Sequence, residues 1–260
     1  MTKLWRIAEP FPNSFKDKFP HLSDIILQLL WQRQLDTPEK IEEFLHPDWG
    51  SHVHDPFIFR DMAKAVARIY EAKKNGETIG IFADYDSDGV CGGAVLATTF
   101  RAISVPYLTY IPHRELEGYG LKNAAIDFFK TEKVRLIITC DCGIANREQI
   151  AYAAEQGIDV IVTDHHTAPP DLPDRAFALL HPHLPNEPYP FKDLSGGGVA
   201  FKFAQGILRP YDGELKYDGQ IITTDGFEKW LLDLVAIAAV ADKRRSYPAP
   251  AFHRRVPEAV

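Results

Sequence analysis

The sequence predicts an α/β fold in which helices flank a parallel β-sheet, with a helical arm preceding the sheet. From residue 78 onward, short apolar segments alternate with amphipathic segments of helical length, which is the spacing of βαβ units. Polar and charged residues follow the ends of these apolar segments. With 260 residues, the chain can form one large domain or two smaller ones.

The amino-terminal region, residues 1–76, is predicted as the helical arm. Residues 1–20 carry three prolines and no clear periodicity, which predicts an irregular segment. Ser23 and Thr37 are favourable N-cap residues, and Gly76 is well suited to end a helix. Helices are therefore predicted over Leu22–Gln34, from Thr37 onward, and over Asp61–Asn75.

The following region, residues 77–242, is predicted as the α/β domain. Its strands are predicted over Thr78–Asp84, Tyr107–Ile111, Val134–Asp141, Asp159–Asp164 and Ala176–His181. The helices between them are predicted over Gly89–Arg101, Lys122–Lys130 and Asn146–Gln156. Residues 209–225 resemble a polar insertion, and a last helix is predicted over Phe227–Val240.

Three carboxylates, Asp84, Asp86 and Asp88, stand at alternate positions where the first strand ends. On an extended chain, this alternation directs the three side chains to one side. Like charges that lie so close repel one another, and a divalent cation such as Mg²⁺ or Mn²⁺ relieves the repulsion. A solvated acidic turn is the alternative interpretation of the cluster.

The next strand ends extend this argument, because ligands of parallel sheets bind at the carboxyl ends of the strands. Arg114 follows the second strand, Asp141 the third, and Asp164, His165 and His166 the fourth. Imidazole and carboxylate groups together form a common ligand set for Mn²⁺, Fe²⁺ or Zn²⁺. Alternatively, Asp141 caps the next helix and the histidines are packed in the core. Asp164 either binds a metal or fixes the tautomer of a neighbouring histidine, and we favour the second role.

A glycine-rich turn, Ser195-Gly196-Gly197-Gly198, leads into another predicted helix. Backbone N–H groups at the beginning of a helix can bind phosphate, which makes this turn a candidate phosphate cradle. A flexible turn without a ligand is the alternative interpretation.

Composition limits the compartment and the class of partner. The net charge of −7 argues mildly against a broad nucleic-acid-binding surface, which is normally basic, although metal-binding carboxylates themselves add negative charge. No apolar run approaches the ~18 residues of a membrane-spanning helix. Cys91, Cys140 and Cys142 do not predict a disulfide framework, so we expect reduced thiols in a cytoplasmic protein.

Five spaced motifs resemble those of the DHH phosphoesterase superfamily, and within it the RecJ family of single-stranded-DNA-specific 5′→3′ exonucleases. The motifs are Asp84-Tyr85-Asp86-Ser87-Asp88-Gly89, Ile111-Pro112-His113-Arg114 with Gly118-Tyr119-Gly120-Leu121, Thr139-Cys140-Asp141-Cys142-Gly143, Asp164-His165-His166, and Ser195-Gly196-Gly197-Gly198-Val199-Ala200-Phe201. The resemblance extends over about residues 20–242 and includes the helical arm.

The resemblance implies a centre that holds two Mn²⁺ or Mg²⁺ ions. The implied metal ligands are Asp86, Asp88, Asp141, His165 and Asp242, with Asp141 bridging the two ions. His166 is implied to face the scissile phosphate, and Asp164 and Asp84 are assigned to the catalytic machinery with it. The implied contacts to substrate are Arg114, His113, Ser195, Gly196, Gly197 and Gly198.

The implied function is metal-dependent hydrolysis of phosphodiesters, by an exonuclease that acts on single-stranded DNA in DNA repair and recombination. A helicase or a single-strand-binding protein is the partner that the family suggests, and no membrane association is expected. Two alternatives are a DHH phosphodiesterase of short oligonucleotides or cyclic dinucleotides, and an inactive metal-binding remnant.

The last residues, 243–260, depart from the family pattern. They carry five basic residues and one acidic residue, without apolar periodicity. We expect a disordered tail on a truncated product, with a frameshift as the origin of the tail. A genuine short variant with a basic, DNA-contacting tail is the alternative.

Overall fold

The structure is a computed structural model of the chain, and it describes residues 8–217, 219–222 and 226–242. The expected basic tail, residues 243–260, lies outside these described residues. The described residues divide into two units, one that ends at His54 and one that begins at Asp55. Each unit has an apolar cluster of its own.

The first unit is helical over its described part. Its helices are α1 (Asn13–Lys16), α2 (Asp24–Gln32), α3 (Pro38–Leu45) and α4 (Trp49–His52). The predicted caps are confirmed, because the hydroxyls of Ser23 and Thr37 accept hydrogen bonds from the N–H groups of Ile26 and Lys40. The short α1 lies in the segment that was expected to be irregular. The buried core of this unit consists of Phe15, Phe19, Leu27, Leu30, Leu35 and Ile41.

The second unit contains the predicted alternation of strands and helices. Its strands are β1 (Ile79–Ala83), β2 (Tyr107–Tyr110), β3 (Leu136–Cys140), β4 (Asp159–Thr163), β5 (Ala178–Leu180), β6 (Leu215–Tyr217) and β7 (Gln220–Ile222). Its helices are α5 (Met62–Asn75), α6 (Ser87–Ala102), α7 (Asn123–Thr131), α8 (Arg147–Glu155), α9 (Gly196–Leu208) and α10 (Leu232–Ala241). Short 3₁₀ turns over Pro56–Ile58 and Phe227–Leu231 precede α5 and α10.

The five predicted strands form one parallel sheet with the order β2-β1-β3-β4-β5. From β1 the chain continues to β2 on one side, whereas β3 leads to β4 and β5 on the other side. The boundary between β1 and β3 is therefore the topological switch point, where α/β sheets of this kind bind their ligands. The α/β fold class and the parallel sheet are confirmed.

Helices cover both faces of this sheet. Ile81 and Ile138 belong to an apolar cluster that also contains residues of α5, α6 and α9. Phe82 and Ile137 belong to a second cluster, shared with α7 and α8. Burial on both faces explains why the strands read as continuous apolar runs rather than as alternating patterns. Every residue of α9 is buried, which makes it the central helix of its layer.

The boundary between the units lies earlier than the sequence suggested. Helix α5 was expected in the arm that ends at residue 76, but it belongs to the unit that contains the sheet. Its Met62 and Val66 pack onto Gly206 of α9, where an added Cβ would lie 2.6 Å from the Met62 sulfur. Ile69 of the same helix face joins the core cluster of the sheet. The apolar face of α5 therefore packs with the sheet.

Two further differences concern the carboxy-terminal part of the unit. The expected polar insertion contains an antiparallel hairpin of β6 and β7, with Leu215 paired to Ile222. The last predicted helix is divided into the 3₁₀ turn and α10. Within the described ranges, none of the helices combines the length and the apolar character that a membrane crossing requires.

Candidate metal centre

Three aspartates are fixed directly at the carboxyl edge of the sheet. The N–H group of Asp84 donates to the carbonyl of Cys140 at 3.1 Å, and the N–H group of Asp141 donates to the carbonyl of Thr163 at 2.9 Å. The N–H group of Asp164 donates to the carbonyl of Leu180 at 3.2 Å. Each aspartate thus continues the hydrogen-bond ladder of its strand by one residue. Asp84 and Asp141 flank the switch point, because β1 and β3 are neighbours.

Asp86 is exposed and forms the N-cap of α6. Its Oδ1 atom accepts hydrogen bonds from the N–H groups of Asp88, at 2.9 Å, and Gly89, at 3.0 Å. The turn is compact, since a Cβ added at Gly89 would lie 2.5 Å from the carbonyl oxygen of Asp84. Because Oδ1 alone makes the cap, Asp86 can cap the helix and offer Oδ2 to a ligand.

Asp88 is buried and is held by the glycine-rich turn that begins α9. Its Oδ2 accepts the N–H group of Gly196 at 2.8 Å, and its Oδ1 accepts that of Gly197 at 2.6 Å. The N–H group of Gly198 donates to the hydroxyl of Ser195, which is the N-cap of α9. This corrects the predicted phosphate cradle. The buried N–H groups of the turn bind a carboxylate and a hydroxyl of the protein, so the turn holds a candidate ligand in place of the substrate.

Asp141 occupies the centre of the site with an unusual backbone. Its φ angle of 61° lies in the left-handed region, which Asp tolerates better than most residues. Its side chain is almost completely buried, and a Cβ added at Gly196 would lie 2.5 Å from its Oδ1. A glycine is therefore required at position 196 for the close approach of α9 to Asp141.

His165 lies among three carboxylates. Its Nε2 is 2.8 Å from Oδ1 of Asp141 and 3.5 Å from Oδ2 of Asp88, and its Nδ1 is 4.0 Å from Oδ2 of Asp242. Asp242 follows α10 directly, at the negative end of the helix dipole, where a carboxylate is unfavourable without a compensating cation. Carboxylates from three different elements therefore surround His165, which is itself a potential metal ligand.

Asp164 organises the two histidines that follow it. Its Oδ1 accepts the N–H groups of His165 and His166, at 2.7 and 3.1 Å, and lies 2.8 Å from Nδ1 of the His166 ring. Its Oδ2 accepts the N–H group of Ile144 at 2.9 Å. Burial alone would raise the pKa of Asp164, but these hydrogen bonds lower it by more. The pKa of Asp164 therefore lies below its ordinary value. An ionised Asp164 thus fixes the ring of His166.

The other buried carboxylates carry unrelieved electrostatic cost. Burial raises the pKa of Asp141, and the neighbouring Asp88 raises it further. Burial likewise raises the pKa of Asp88, against the hydrogen bonds from the glycine turn. Burial also raises the pKa of Asp84, whose Oδ1 atom is buried without a hydrogen-bond partner among the described residues. A divalent cation would supply the partner and offset the charge that the protein leaves uncompensated.

The geometry gives three overlapping sets of candidate ligands. The sets are Asp84 with Asp86 and Asp141, Asp88 with His165 and Asp242, and Asp141 with His165 and His166. In each set, one ligand atom per residue lies within 4.8 Å of the others. The first set holds carboxylates only, the second adds one imidazole and the third adds two. Carboxylate oxygens suit Mn²⁺ or Mg²⁺, so the residues fit the implied ions.

Comparison with known proteins assigns the chain to a family. The family model "DHH family, N-terminal domain" matches residues 78–239. The chain belongs to the DHH family. It is 39% identical over 240 residues to the single-stranded-DNA-specific exonuclease RecJ of Bacillus subtilis, a match that covers 92% of this chain and 28% of the relative. The DHH chain thus spans less than a third of that relative's length.

Solved structures of RecJ share the fold. The structure of exonuclease RecJ bound to manganese is 31% identical and superimposes with a TM-score of 0.60, covering 72% of the DHH chain and 44% of RecJ. Thermus thermophilus RecJ in complex with Mn²⁺ is 24% identical and superimposes with a TM-score of 0.69, covering 94% and 33% of the two chains. The second likeness shows the fold alone.

The two predicted substrate contacts after β2 have different surroundings. The guanidinium carbon of Arg114 lies 5.1 Å from the ring centroid of Tyr85, in the acidic turn, and Arg114 is exposed. His113 is engaged within its own loop, because its Nδ1 accepts the N–H groups of Glu115 and Leu116. Arg114 is thus held beside the candidate ligands of this DHH chain, while His113 shapes the loop.

Tyr119 is a site residue that the sequence did not assign. Its hydroxyl lies 3.1 Å from Nδ1 of His166 and 3.3 Å from the carbonyl oxygen of Asp141. The Gly-Tyr-Gly sequence around it was a visible signal, but spacing alone does not bring the β2–α7 loop to the ends of β3 and β4. Tyr85 was not assigned either, because it stands among aspartates that give a stronger signal.

Proposed function

We propose that this DHH chain is a divalent-metal-dependent phosphodiester hydrolase with RecJ-like exonuclease activity on single-stranded DNA. The observation that carries the proposal is the convergence of buried carboxylates and His165 at the switch point, where Oδ1 of Asp84 is buried and has no hydrogen-bond partner in the part of the chain that the structure describes. The substrate class is supported by the B. subtilis relative, which is a single-stranded-DNA-specific exonuclease.

We assign the ions as two Mn²⁺ or Mg²⁺ ions, since solved RecJ structures hold manganese and magnesium. Asp84, Asp86 and Asp141 would hold one ion, and Asp88, His165 and Asp242 the other, with Asp141 placed between the two sets. When bound, a pair of divalent cations supplies a nucleophilic water at neutral pH and offsets the charge on the phosphate. The carboxylates balance the charge of the cations, and neutral imidazole adds a ligand without adding charge.

Three other residues complete the proposed chemistry. His166, whose side chain is 41% exposed, is fixed by Asp164 and faces the scissile phosphate as a hydrogen-bonding partner. Arg114 offers a planar guanidinium that matches two phosphate oxygens, and its contact with Tyr85 keeps it near the acidic turn. Asp164 acts through His166 and does not itself contact the substrate.

Mn²⁺-dependent degradation of a 5′-labelled single-stranded oligonucleotide by the purified 260-residue chain tests this function. We expect release of mononucleotides by the wild type and a loss of about a hundredfold or more in Asp141→Ala, because that carboxylate lies between both ligand sets. The matched control is Asp127→Ala, which removes a surface carboxylate that accepts the hydroxyl of Tyr152. Full Mn²⁺-dependent activity in Asp141→Ala would refute the site assignment.

A cyclic dinucleotide and a short oligonucleotide, incubated in parallel, separate the alternative functions. Turnover of these substrates without turnover of longer DNA would place the chain among the other DHH phosphodiesterases. Mn²⁺ binding without turnover of any of them would indicate a metal-binding protein without catalysis.

We further propose a 5′→3′ polarity, a role in DNA repair and recombination, a helicase or single-strand-binding protein as partner, and a cytoplasmic location. Resemblance to RecJ supports the first three, and the three buried cysteines with free thiols are consistent with a reducing compartment. Oligonucleotides labelled at the 5′ or the 3′ end test the polarity. Early release of the 3′ label would contradict it.

A further inference from the structure

Tyr119 connects the ends of three strands through a single hydroxyl group. It lies in the loop between β2 and α7, whereas Asp141 follows β3 and His166 follows β4. Its hydroxyl oxygen is 3.3 Å from the Asp141 carbonyl oxygen and 3.1 Å from Nδ1 of His166. The Tyr119 ring also meets the imidazole edge-on, with centroids 5.4 Å apart.

The loop is shaped to present this side chain. Gly118 and Gly120 have φ angles of 71° and 83°, so Tyr119 stands between two left-handed positions that favour glycine. The loop is anchored before Tyr119, where Glu117 accepts the N–H group of His113 at 2.7 Å. It is anchored after Tyr119, where Oδ1 of Asn146 accepts the N–H group of Leu121 at 3.1 Å. The position of Tyr119 is therefore fixed from both sides.

The positions of the protons follow from the donors and acceptors. Both carboxylate oxygens of Asp164 accept backbone N–H groups, so Asp164 acts as an acceptor, and we assign the proton of the His166 ring to Nδ1, which donates to Asp164 at 2.8 Å. The hydroxyl of Tyr119 cannot donate to a protonated nitrogen, and it therefore donates to the carbonyl of Asp141. Its oxygen lone pair faces the same Nδ1–H group as a second acceptor.

The Asp141 contact matters because the backbone of this residue is strained. A left-handed conformation is unfavourable for an L-residue and persists where neighbouring groups hold it. The N–H group of Asp141 is bound by the carbonyl of Thr163, and its carbonyl is bound by Tyr119. The two bonds together fix the peptide groups on either side of the Asp141 side chain.

We infer that Tyr119 is a positioning residue of the metal centre, whose hydroxyl holds the Asp141 backbone and the His166 ring in the arrangement that accepts the ions. This inference rests on the proposed function in one respect, namely that the centre binds Mn²⁺. It assigns Tyr119 no contact with DNA. The hydroxyl group positions Asp141 and His166, and the aromatic ring has a packing role.

The test is the substitution Tyr119→Phe, which removes the hydroxyl and keeps the ring. We expect the Mn²⁺ dissociation constant, measured by calorimetry on the metal-free chain, to rise about three- to tenfold, as for loss of one or two hydrogen bonds. If the chain degrades DNA, kcat should fall by a similar factor while KM for DNA stays within about twofold, since Tyr119 does not touch the substrate. Tyr152→Phe is the matched control, because it removes a surface hydroxyl that donates to Asp127, and it should change neither quantity.

An unchanged Mn²⁺ affinity in Tyr119→Phe would overturn the inference, even if the variant melts at a lower temperature. A Tyr119→Phe variant with unchanged Mn²⁺ affinity and kcat, together with a raised KM for DNA in Tyr119→Leu, would also overturn it, because the ring would then contact the substrate. The calorimetric readout separates this inference from the nuclease proposal. A wild type that binds Mn²⁺ but degrades no DNA refutes the nuclease, while a weaker Mn²⁺ affinity in Tyr119→Phe still supports the positioning role.

Discussion

At the residue scale, three buried carboxylates lie close together, and a bound cation would offset their mutual repulsion. Asp84, Asp88 and Asp141 are buried at one edge of the sheet, and burial raises the pKa of each above its usual value of 3.8. At these three groups, the folded chain without metal therefore binds more protons than the unfolded chain above about pH 4. Their contribution to stability falls as the pH rises through their raised pKa values in the folded chain, which is the opposite of the usual behaviour of an ion-paired aspartate.

The same protons compete with a metal ion, which gives a pH prediction. Between pH 5.5 and 7.5, we expect the Mn²⁺ affinity to increase with pH, by up to about tenfold per pH unit for each proton displaced. Titration calorimetry in two buffers of different ionisation enthalpy should show proton release on Mn²⁺ binding. An affinity that is independent of pH, with no proton release, would show that these carboxylates are already ionised in the metal-free chain.

Single residues also show how far sequence reasoning reaches. Asp84, Asp86 and Asp88 could be grouped with Asp141 from the sequence, because each follows a strand of one predicted parallel sheet. The contact of Tyr119 with His166 could not be predicted, since it depends on how a loop folds over its neighbours. Periodicity reports which face of an element is buried, but it carries no information on the path of an irregular loop.

At the element scale, α9 determines the geometry of the centre through its first turn. Its N–H groups bind Asp88, and its Gly196 lies against Asp141. The sequence signalled an anion site at a helix N-terminus, which is the correct physical class. The anion proves to be a carboxylate of the protein, because the packing of α9 against α6 brings Asp88 to the turn. Which anion the turn binds depends on tertiary packing and cannot be obtained from the motif.

The glycine turn supplies a paired prediction. In Gly196→Ala, the new Cβ would lie 2.5 Å from Oδ1 of Asp141, so we expect Mn²⁺ affinity to fall by at least about tenfold. In Gly198→Ala, the nearest atom is the end of the Leu194 side chain at 3.2 Å, and we expect an affinity within about threefold of the wild type. Calorimetry on both variants measures the contrast. Equal effects would indicate that the turn does not constrain Asp141.

At the scale of the whole molecule, the candidate centre and its support lie within one unit. The candidate ligands extend from Asp84 to Asp242, inside the unit Asp55–Arg244. The two core clusters that cover the sheet also consist of residues of this unit. The described helices before residue 55 have a separate core around Leu27 and Leu30. We expected α5 in the helical arm, whereas its apolar face packs with the sheet, because the packing partner of an amphipathic helix is not encoded in its periodicity.

This division predicts that a fragment of residues 55–244 folds alone and binds Mn²⁺. Because its core clusters share no residue with that of the helical unit, we expect a single cooperative thermal transition. At a Mn²⁺ concentration of about 100 times its dissociation constant, the ion should stabilise the fragment by about 2.7 kcal/mol. For a domain of this size, that corresponds to an increase in Tm of roughly 5–10 °C.

Differential scanning fluorimetry with Mn²⁺ and with EDTA measures the shift, and the fragment carrying Asp141→Asn should show none. A fragment that lacks a cooperative transition would mean that the sheet unit requires residues 1–54 to fold.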